Sequence, residues 1–535
     1  MKVLLPVLSA VVATGLGLGQ ARAQEHDHHG AAALGDVNFP VSCTPAAQEK
    51  FNTTVALLYS FYWEEIDRAI ADVLAADPTC AMAYWAKAVA SIDNALGSPP
   101  TPKQEQQGWD AVQQAKRLGG RTPRERDYID AVALVFKDHA SMPFAQRAKA
   151  YENALAQLHA RYPDDTEATI LYAFWLQVTA DRNDQTYAQQ LRSAKLLEPL
   201  FPRQPNHPGI AHFLIHAYDF PAIAAQGVAA AERYAAIAPD SPHALHMPSH
   251  IFSRVGRWQD SIATNTRSRA ASHSDRDVYH ATDYLVYASL QLARDAEARR
   301  WVEFVDTTKP NEETRQIAYA GAAIPARYAL ERGDWKTAAT LALHPTPAQF
   351  NWSPFPEGEA VNAYARGLGA ARSGDAAAAK VELARLAALR AAMVAQKKAY
   401  WIEQADIQAG AISAWIARAE GRNDEALQLM RETADREDRT EEHIMMPGRV
   451  LPVREMLGDL LLQLEQPAQA RAVFAQSLVN DPNRLHSLYG VAQAAERAGD
   501  RRAAKAAYAR LLAQADAASE RGELAHARRF VGHRR

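Results

Sequence analysis

Six histidines in the middle of the chain could together hold a metal ion, because neutral imidazole is a common ligand of transition metals. They are His212, His216, His243, His246, His250 and His280. His212 and His216 are four residues apart, as are His246 and His250, which on a helix places the Cβ atoms of each pair about 5–6 Å apart on one face. We therefore expect these four side chains to share one cation.

One interval relates the histidines to each other. It is 34 residues, and it separates His212, His246 and His280 in turn. The same interval separates His216 from His250. Thirty-four is the period of the tetratricopeptide repeat, a helix–turn–helix unit that stacks into a solenoid. Equivalent positions of successive repeats share a face, so the interval predicts a concave groove lined by these histidines.

Two carboxylates accompany the histidines in this pattern. Asp219 follows the first pair, and Asp283 lies three residues after His280. Either could complete the ligand set or hold a ligating histidine in orientation. In a metal-dependent enzyme that used the same histidines, either could also act as the general base.

The donor types narrow the choice of metal. Histidine-rich sites without thiolates suit zinc, copper, iron or nickel, and the expected cofactor is a divalent transition metal of this kind. The chain has no His-Glu-x-x-His motif, so the zinc-peptidase arrangement is not expected. Met247 is the one methionine close to the histidines in sequence, which disfavours a thioether-rich store of Cu(I).

Three other interpretations of the histidines stay open at this stage. The groove could bind an anionic or peptide ligand by hydrogen bonds alone. The protein could be a metal-dependent enzyme, or a plain protein-interaction scaffold in which the repeats alone carry the function. We favour an exported protein that binds its ligand through a histidine-lined, metal-containing site.

The first residues are typical of a secretory signal peptide. Lys2 precedes an apolar run over residues 3–19, and Ala21-Arg22-Ala23 fits the small-x-small cleavage pattern. We therefore predict a signal peptide over residues 1–23 and a periplasmic or secreted protein. A retained signal anchor is the alternative. No other apolar stretch approaches the roughly 20 residues that a membrane span needs, so no span is expected after cleavage.

A second metal-prone segment would follow the cleavage site. Residues 24–38 read as a flexible leader that contains His26, His28 and His29. A free amine with a histidine in third place can offer four nitrogens in a plane, which suits Cu(II) or Ni(II). Cyclisation of Gln24 would remove that amine. A disordered, solvated leader is the alternative.

The two cysteines, Cys43 and Cys80, are expected to form a disulfide in an oxidising compartment. It would close a loop of about 37 residues and stabilise the fold by about 3–4 kcal/mol on the chain-entropy model. Two free buried thiols are the alternative.

Alanine-rich amphipathic stretches separated by tight turns predict an all-α, tetratricopeptide-like solenoid in two halves, with about ten to twelve helix pairs and no sheet. The repeat template fits best near the C-terminus, where Gly458, Ala470 and Phe474 fall at positions 8, 20 and 24 of a unit that starts at Leu451. The expected divisions are an N-terminal half at 39–305, central irregular repeats at 306–440, a C-terminal repeat pair at 441–520 and a basic tail at 521–535.

The overall charge limits the class of partner. The formal net charge is −3 and the sequence pI is about 6.7, so the chain lacks the basic footprint of a nucleic-acid-binding protein. We expect no nucleic-acid partner. The ligand is an unidentified peptide, protein or small molecule.

Several blocks also resemble a group of bacterial exported tetratricopeptide proteins of uncharacterised activity. The blocks are Phe39-Pro40 with Ser42-Cys43, Asp77-Pro78-Thr79-Cys80-Ala81-Met82-Ala83-Tyr84-Trp85, His212-Phe213-Leu214-Ile215-His216-Ala217-Tyr218-Asp219, His243-Ala244-Leu245-His246-Met247-Pro248-Ser249-His250-Ile251-Phe252 and Pro482-Asn483-Arg484. The resemblance spans most of the chain after residue 23. It implies the same helical solenoid and export, and it implies no particular activity.

Overall fold

The computed structural model describes residues 33–181 and 183–532. The predicted signal peptide at residues 1–23 and the leader histidines His26, His28 and His29 lie outside the described residues. The last residues of the predicted leader, 33–38, have no regular secondary structure but contact the helical part: the Asp36 amide donates to the carbonyl of Asn206, and Leu34 is buried.

The described residues form 26 α-helices and no β-strand. In the N-terminal part they are α1 Pro45–Tyr59, α2 Trp63–Ala76, α3 Ala81–Ala90, α4 Pro102–Leu118, α5 Pro123–Phe136, α6 Phe144–Arg161, α7 Thr166–Val178, α8 Ala188–Leu197, α9 Pro208–Tyr218, α10 Val228–Ile237, α11 Pro242–His246, α12 Pro248–Arg254 and α13 Trp258–Ala271. They continue as α14 Asp275–Gln291, α15 Asp295–Thr307, α16 Arg315–Leu330, α17 Trp335–Ala338, α18 Pro356–Arg372, α19 Ala376–Ala395, α20 Ala399–Ala419, α21 Asn423–Glu437, α22 Val453–Gln463, α23 Pro467–Asn480, α24 Leu485–Arg497, α25 Arg501–Gln514 and α26 Gly522–Gly532.

Consecutive helices pack against each other along the chain, so the predicted all-α solenoid is confirmed. The small residues of the repeat template allow this packing. A Cβ atom on Gly458 of α22 would lie 2.5 Å from the ring of Phe474 on α23, and both Phe474 and Ala470 are fully buried. Two main hydrophobic cores result, one among residues 34–252 and one among residues 279–494. The domain boundaries expected at 305 and 440 stay predictions.

The predicted disulfide is confirmed: Cys43 and Cys80 are bonded, with their Cα atoms 5.2 Å apart. It joins the segment before α1 to the residue that precedes α3. No helix of the described residues is long and apolar enough to cross a membrane. At the opposite end, Arg521 of the predicted basic tail forms an ion pair with Asp295, and residues 522–532 form α26.

The C-terminal repeats pack back against the middle of the solenoid. The fully buried guanidinium of Arg484, just before α24, forms ion pairs with Glu331 and Glu455 and donates to the hydroxyl of Tyr287 on α14. Trp258 Nε1 donates to the carbonyl of Asn483. Repeats that lie more than 200 residues apart in sequence are therefore held together.

The loop between α21 and α22, residues 438–452, lies against the same helices. Arg327 of α16 donates to the carbonyls of Gly448 and Arg449, and Tyr284 of α14 donates to the carbonyl of Met446. A Cβ atom on Gly448 would lie 2.5 Å from the hydroxyl oxygen of Tyr287, so only glycine allows this close approach. The loop thus fills part of the groove that the repeats would otherwise leave open.

Candidate metal centre

Four helices bring the six histidines together. His212 and His216 lie one turn apart on α9, His243 and His246 lie on α11, and two others follow on α12 and α14. Those two are His250 and His280. Pro248, at the first positions of α12, separates α11 from α12, because a proline inside a continuous helix would clash with the carbonyl four residues earlier. The first helices of three successive repeats therefore supply every ligand candidate.

The histidines form two groups of three. In the first triad, His212, His216 and His243, one nitrogen of each ring lies within 4.8 Å of the others. The second triad is His246, His250 and His280, and it meets the same distance. The expectation that four histidines share one cation is thus corrected: each i, i+4 pair is completed by a histidine from another turn or helix.

Two pairs of ring nitrogens face each other closely. His212 Nε2 lies 3.2 Å from His243 Nε2, and His246 Nε2 lies 3.0 Å from His250 Nε2. Two imidazole nitrogens bound to one tetrahedral or octahedral ion through bonds of about 2.0–2.1 Å are themselves about 2.9–3.4 Å apart. Each observed separation therefore matches one edge of a metal coordination shell.

The other ring nitrogen of several histidines is held as a donor. His212 Nδ1 donates to the carbonyl of Tyr59, at 2.6 Å. His250 Nδ1 donates to a carboxylate oxygen of Asp219, at 2.8 Å. A neutral imidazole that carries its proton on Nδ1 has a free lone pair on Nε2. Both rings therefore present Nε2 as an acceptor to the interior of the cluster.

Asn265 fixes His246 in the same way. The Asn265 side-chain amide nitrogen donates to the carbonyl of Ser261, which leaves its oxygen to accept from His246 Nδ1 at 2.6 Å. His246 and His250 thus both direct an Nε2 lone pair at the 3.0 Å contact, with no proton available between them. Two facing lone pairs repel, and a cation bound to both converts that repulsion into attraction.

His216 is a buried histidine with two unpaired ring nitrogens. Its side chain is buried, and neither of its ring nitrogens has a hydrogen-bond partner among the described residues. Buried polar groups are nearly always paired, and each unpaired one costs about 1–3 kcal/mol. An ion bound by His216 would remove this cost.

Burial lowers the pKa of every histidine in the cluster. The pKa of His212 falls to about 3 and that of His246 to about 4, mainly because the protonated rings would lose their hydration. For His216 and His250, neighbouring histidines lower the pKa further. All six rings are therefore neutral near pH 7, the form that binds metals.

Asp219 orients a ligand and is itself held by other partners. Its carboxylate accepts from His250 Nδ1 and, at 3.1 Å, from the guanidinium of Arg254. Arg254 also forms an ion pair with Glu442 of the α21–α22 loop. Burial raises the pKa of Asp219 to about 6 in spite of Arg254. Asp219 thus occupies the place of a carboxylate that supports a metal-bound histidine.

Asp283 does not join the histidines. Its carboxylate forms a fully buried ion pair with the guanidinium of Arg327, at 2.8 Å, and its second oxygen has no hydrogen-bond partner among the described residues. The sequence-based expectation that it ligates a metal or acts as a general base is corrected, because its charge is neutralised by the arginine that holds the α21–α22 loop.

Aromatic rings enclose both triads. The ring of Phe61 lies 4.6 Å from that of His212 and 5.3 Å from that of His243, centroid to centroid. Tyr284 lies 4.8 Å from His246 in the second triad. Phe61 lies in the turn between α1 and α2, with a φ angle of 49° in the left-handed region.

A cleft of about 380 Å³ reaches both triads. It is lined by His216 and His243 of the first and by His250 and His280 of the second. Its apolar walls include Phe61, and its polar residues include the ion pair of Arg276 and Asp277. The α21–α22 loop contributes His443, Ile444 and Met445. Four of the six ligand candidates therefore border this cleft.

Sequence reasoning missed the residues that orient the rings. Tyr59 acts through its backbone carbonyl, 153 residues from His212, and no pattern of side-chain types could reveal it. Asn265 and Arg254 are polar residues on helices that otherwise read as ordinary repeat helices. His443 lies in the irregular stretch between two repeats, and that irregularity was the one available signal that the groove is covered.

No protein-family model matches this chain, and no curated protein matches it significantly. The resemblance to exported tetratricopeptide proteins therefore stays a proposal, and the function is argued from the site.

Proposed function

We propose that this protein is an exported solenoid of the tetratricopeptide type that binds transition-metal ions in its two histidine triads and binds a small ligand through those ions. The observation that carries the proposal is the 3.0 Å contact between His246 Nε2 and His250 Nε2, whose other nitrogens both donate elsewhere. A bound cation explains why the fold directs two lone pairs at one point.

The cleft supports a small ligand. A metal ion with three protein ligands keeps a coordination position for water or a substrate, whereas structural sites are closed by a fourth protein ligand. Four of the six histidines line the cleft, and its volume of about 380 Å³ suits a small molecule. The alternative of a peptide in an open groove is less well supported, because the α21–α22 loop already occupies part of the inner face.

An enzyme is the second candidate, and a cleft bordered by four of the histidines favours it over a plain scaffold. Open coordination positions at the base of a cleft could polarise a substrate or activate water. Neither Asp219 nor Asp283 is free to act as its general base, since each is paired with a buried arginine. The reaction would therefore depend on the ions and on residues of the cleft wall.

Export is supported by the disulfide between Cys43 and Cys80, since such bonds persist mainly in oxidising compartments. A separate metal site at His26, His28 and His29 stays a prediction, and the experiment below distinguishes it from the triads.

The test is elemental analysis of the untagged protein after growth with zinc, copper and iron. We expect stoichiometric metal in the wild type and in a variant that lacks residues 24–30. In His250→Ala we expect the bound metal to fall by about half or more, because removing one ligand of three ruins the affinity of that triad. His273→Ala is the matched control: this exposed histidine lies seven residues before His280.

Circular dichroism of each variant establishes that the helices remain folded. Wild-type protein without metal would overturn the proposal and leave a hydrogen-bonding groove. Metal that is lost only on deletion of residues 24–30 would move the site to the leader.

A further inference from the structure

We infer that the two triads form a single dinuclear copper centre whose ligand is dioxygen. This inference rests on the proposed function, and it adds the number of ions in the centre, the metal and the class of ligand. Three independent features of the site carry it: the spacing of the six rings, the absence of carboxylates among the candidate ligands, and the local charge.

The two triads are direct neighbours. Across the triads, His216 lies 6.1 Å from His250 and His243 lies 6.2 Å from His246, measured between ring centroids. Within the second triad, His250 lies 6.1 Å from His280. The other neighbouring rings within the triads lie 4.4–5.0 Å apart. The triads are therefore distinct groups whose nearest rings lie at about the longest separation found inside one. Two ions, each bound by three of these rings, would be neighbours that can share a ligand.

The set of donors disfavours metal pairs that rely on carboxylates. Every candidate ligand is a neutral imidazole, and the two nearby carboxylates that could have bridged two ions are paired with Arg254 and Arg327. Manganese and iron pairs in helical proteins rely on carboxylates, which both bridge the ions and neutralise their charge. Imidazole suits copper and zinc alike, and the charge around the cluster decides between them.

The charge around the cluster favours ions of low charge. Two divalent ions with six neutral ligands would place four positive charges among buried side chains, at a large cost in solvation. Two Cu(I) ions would place two. Beside the second triad, the two carboxylates of Asp219 and Glu442 face one guanidinium, that of Arg254. This leaves one net negative charge next to the Cu(I) ions. The Arg276–Asp277 pair in the cleft adds no net charge.

Dioxygen fits this centre by electron count. The cleft gives access through His243 and His280, the two histidines that keep partial exposure, one in each triad. Each Cu(I) ion would give one electron, so that dioxygen is reduced to the peroxide dianion and both ions become Cu(II). The O–O bond order falls from two to one, the dianion is held between the ions, and no proton is consumed.

The experiment loads the full untagged protein with Cu(I) under anaerobic conditions and then admits dioxygen. We expect two copper ions and one dioxygen per chain, an intense charge-transfer absorption in the near ultraviolet, and almost no electron paramagnetic resonance signal, because the spins of two bridged Cu(II) ions pair. In a parallel titration with equal zinc and Cu(I), copper should fill both triads.

His280→Ala tests the pairing directly. We expect this variant to keep one copper ion per chain, to lose the uptake of dioxygen and, once oxidised chemically, to show a full Cu(II) resonance signal. The exposed control His273→Ala should behave as the wild type. If His280→Ala does not fold, a wild-type copper titration still decides, since saturation at one ion per chain would overturn the inference.

The two proposals fail in different ways. Two copper ions that take up no dioxygen and that, once oxidised chemically, give a full resonance signal would show two separate sites and overturn the dinuclear centre while metal binding stands. Zinc in both triads in place of copper would also overturn the dinuclear copper centre while metal binding stands. The absence of any bound metal would overturn both.

Discussion

At the scale of single residues, the proton on each imidazole decides whether the cluster can hold an ion. His212, His246 and His250 each place their proton on Nδ1, and each has a different acceptor for it. Those acceptors are a backbone carbonyl, an amide oxygen and a carboxylate. A ring that lost its acceptor could turn its N–H towards the centre and would then no longer be a ligand.

Asn265→Ala tests this dependence. The change removes the acceptor of His246 Nδ1 and leaves all six histidines in place. We expect metal affinity to fall by about 10–100-fold, the usual effect of losing a residue that orients a ligand. Competition with a chromophoric chelator would measure the affinity of the wild type and the variant.

Thr266→Ala on the same helix is the control for Asn265→Ala. Its hydroxyl donates to the carbonyl of Ile262 within α13, and its side chain is exposed. Affinity should stay within about twofold of the wild type, since surface changes away from a site rarely exceed a few tenths of a kcal/mol. Equal affinities in Asn265→Ala and the control would contradict the orienting role of Asn265.

The interval of 34 residues was enough to predict which histidines share a face, because it repeats the period of the solenoid. The interval could not predict how the histidines divide into two triads. His243 completes the first triad and His280 completes the second. This division depends on the end of α11 before Pro248 and on the position of α14 beside α11. Asp283 matched the pattern equally well. It is excluded as a ligand by its ion pair with Arg327, which lies 44 residues further along the chain.

At the scale of elements, a second histidine–carboxylate pair joins α22 to α24. His486 Nε2 lies 2.9 Å from Asp459, which also accepts from Arg372 at 3.3 Å. Burial by itself lowers the pKa of His486, but the charge of Asp459 and its hydrogen bond outweigh burial and raise the pKa to about 9. The pair is thus charged near neutral pH and tightens the packing of these two helices.

The pair predicts a stability that depends on pH. The pKa of His486 is about 9 in the folded protein and near its ordinary value of 6.5 in the unfolded chain. The contribution of the pair to the free energy of unfolding is therefore complete below about pH 6.5 and is lost as the pH rises through about 9. We expect the Tm of metal-free His486→Asn to fall below that of the wild type at pH 6.5.

The difference in Tm should shrink as the pH rises and be smallest above about pH 9. Since the side chain of His486 is 32% exposed, added salt should weaken the effect. Asp459→Asn should remove the same pH dependence. Melting curves of the wild type and His486→Asn that stay parallel across this range would contradict the prediction.

At the scale of the whole molecule, the solenoid confines the effect of a bound ion. The triads join α9, α11, α12 and α14, and the contact of His212 with Tyr59 adds the end of α1. Helices elsewhere contact mainly their neighbours in the chain, as expected of a repeat array. An ion that binds only the folded centre should therefore stabilise that part of the molecule and leave distant repeats nearly unchanged.

Hydrogen exchange with and without metal measures this directly. At a free metal concentration of about 100 times Kd, linkage predicts about 2.7 kcal/mol of added stability for the structure that binds it. We expect slower amide exchange in α9, α11, α12 and α14 and at the end of α1, and reversal by a chelator. Exchange in α19, which lies in the second core, should not change. Equal slowing in α19 would show that residues 33–532 unfold as one cooperative unit, whereas no slowing in α9 would show that the ion binds outside the first triad.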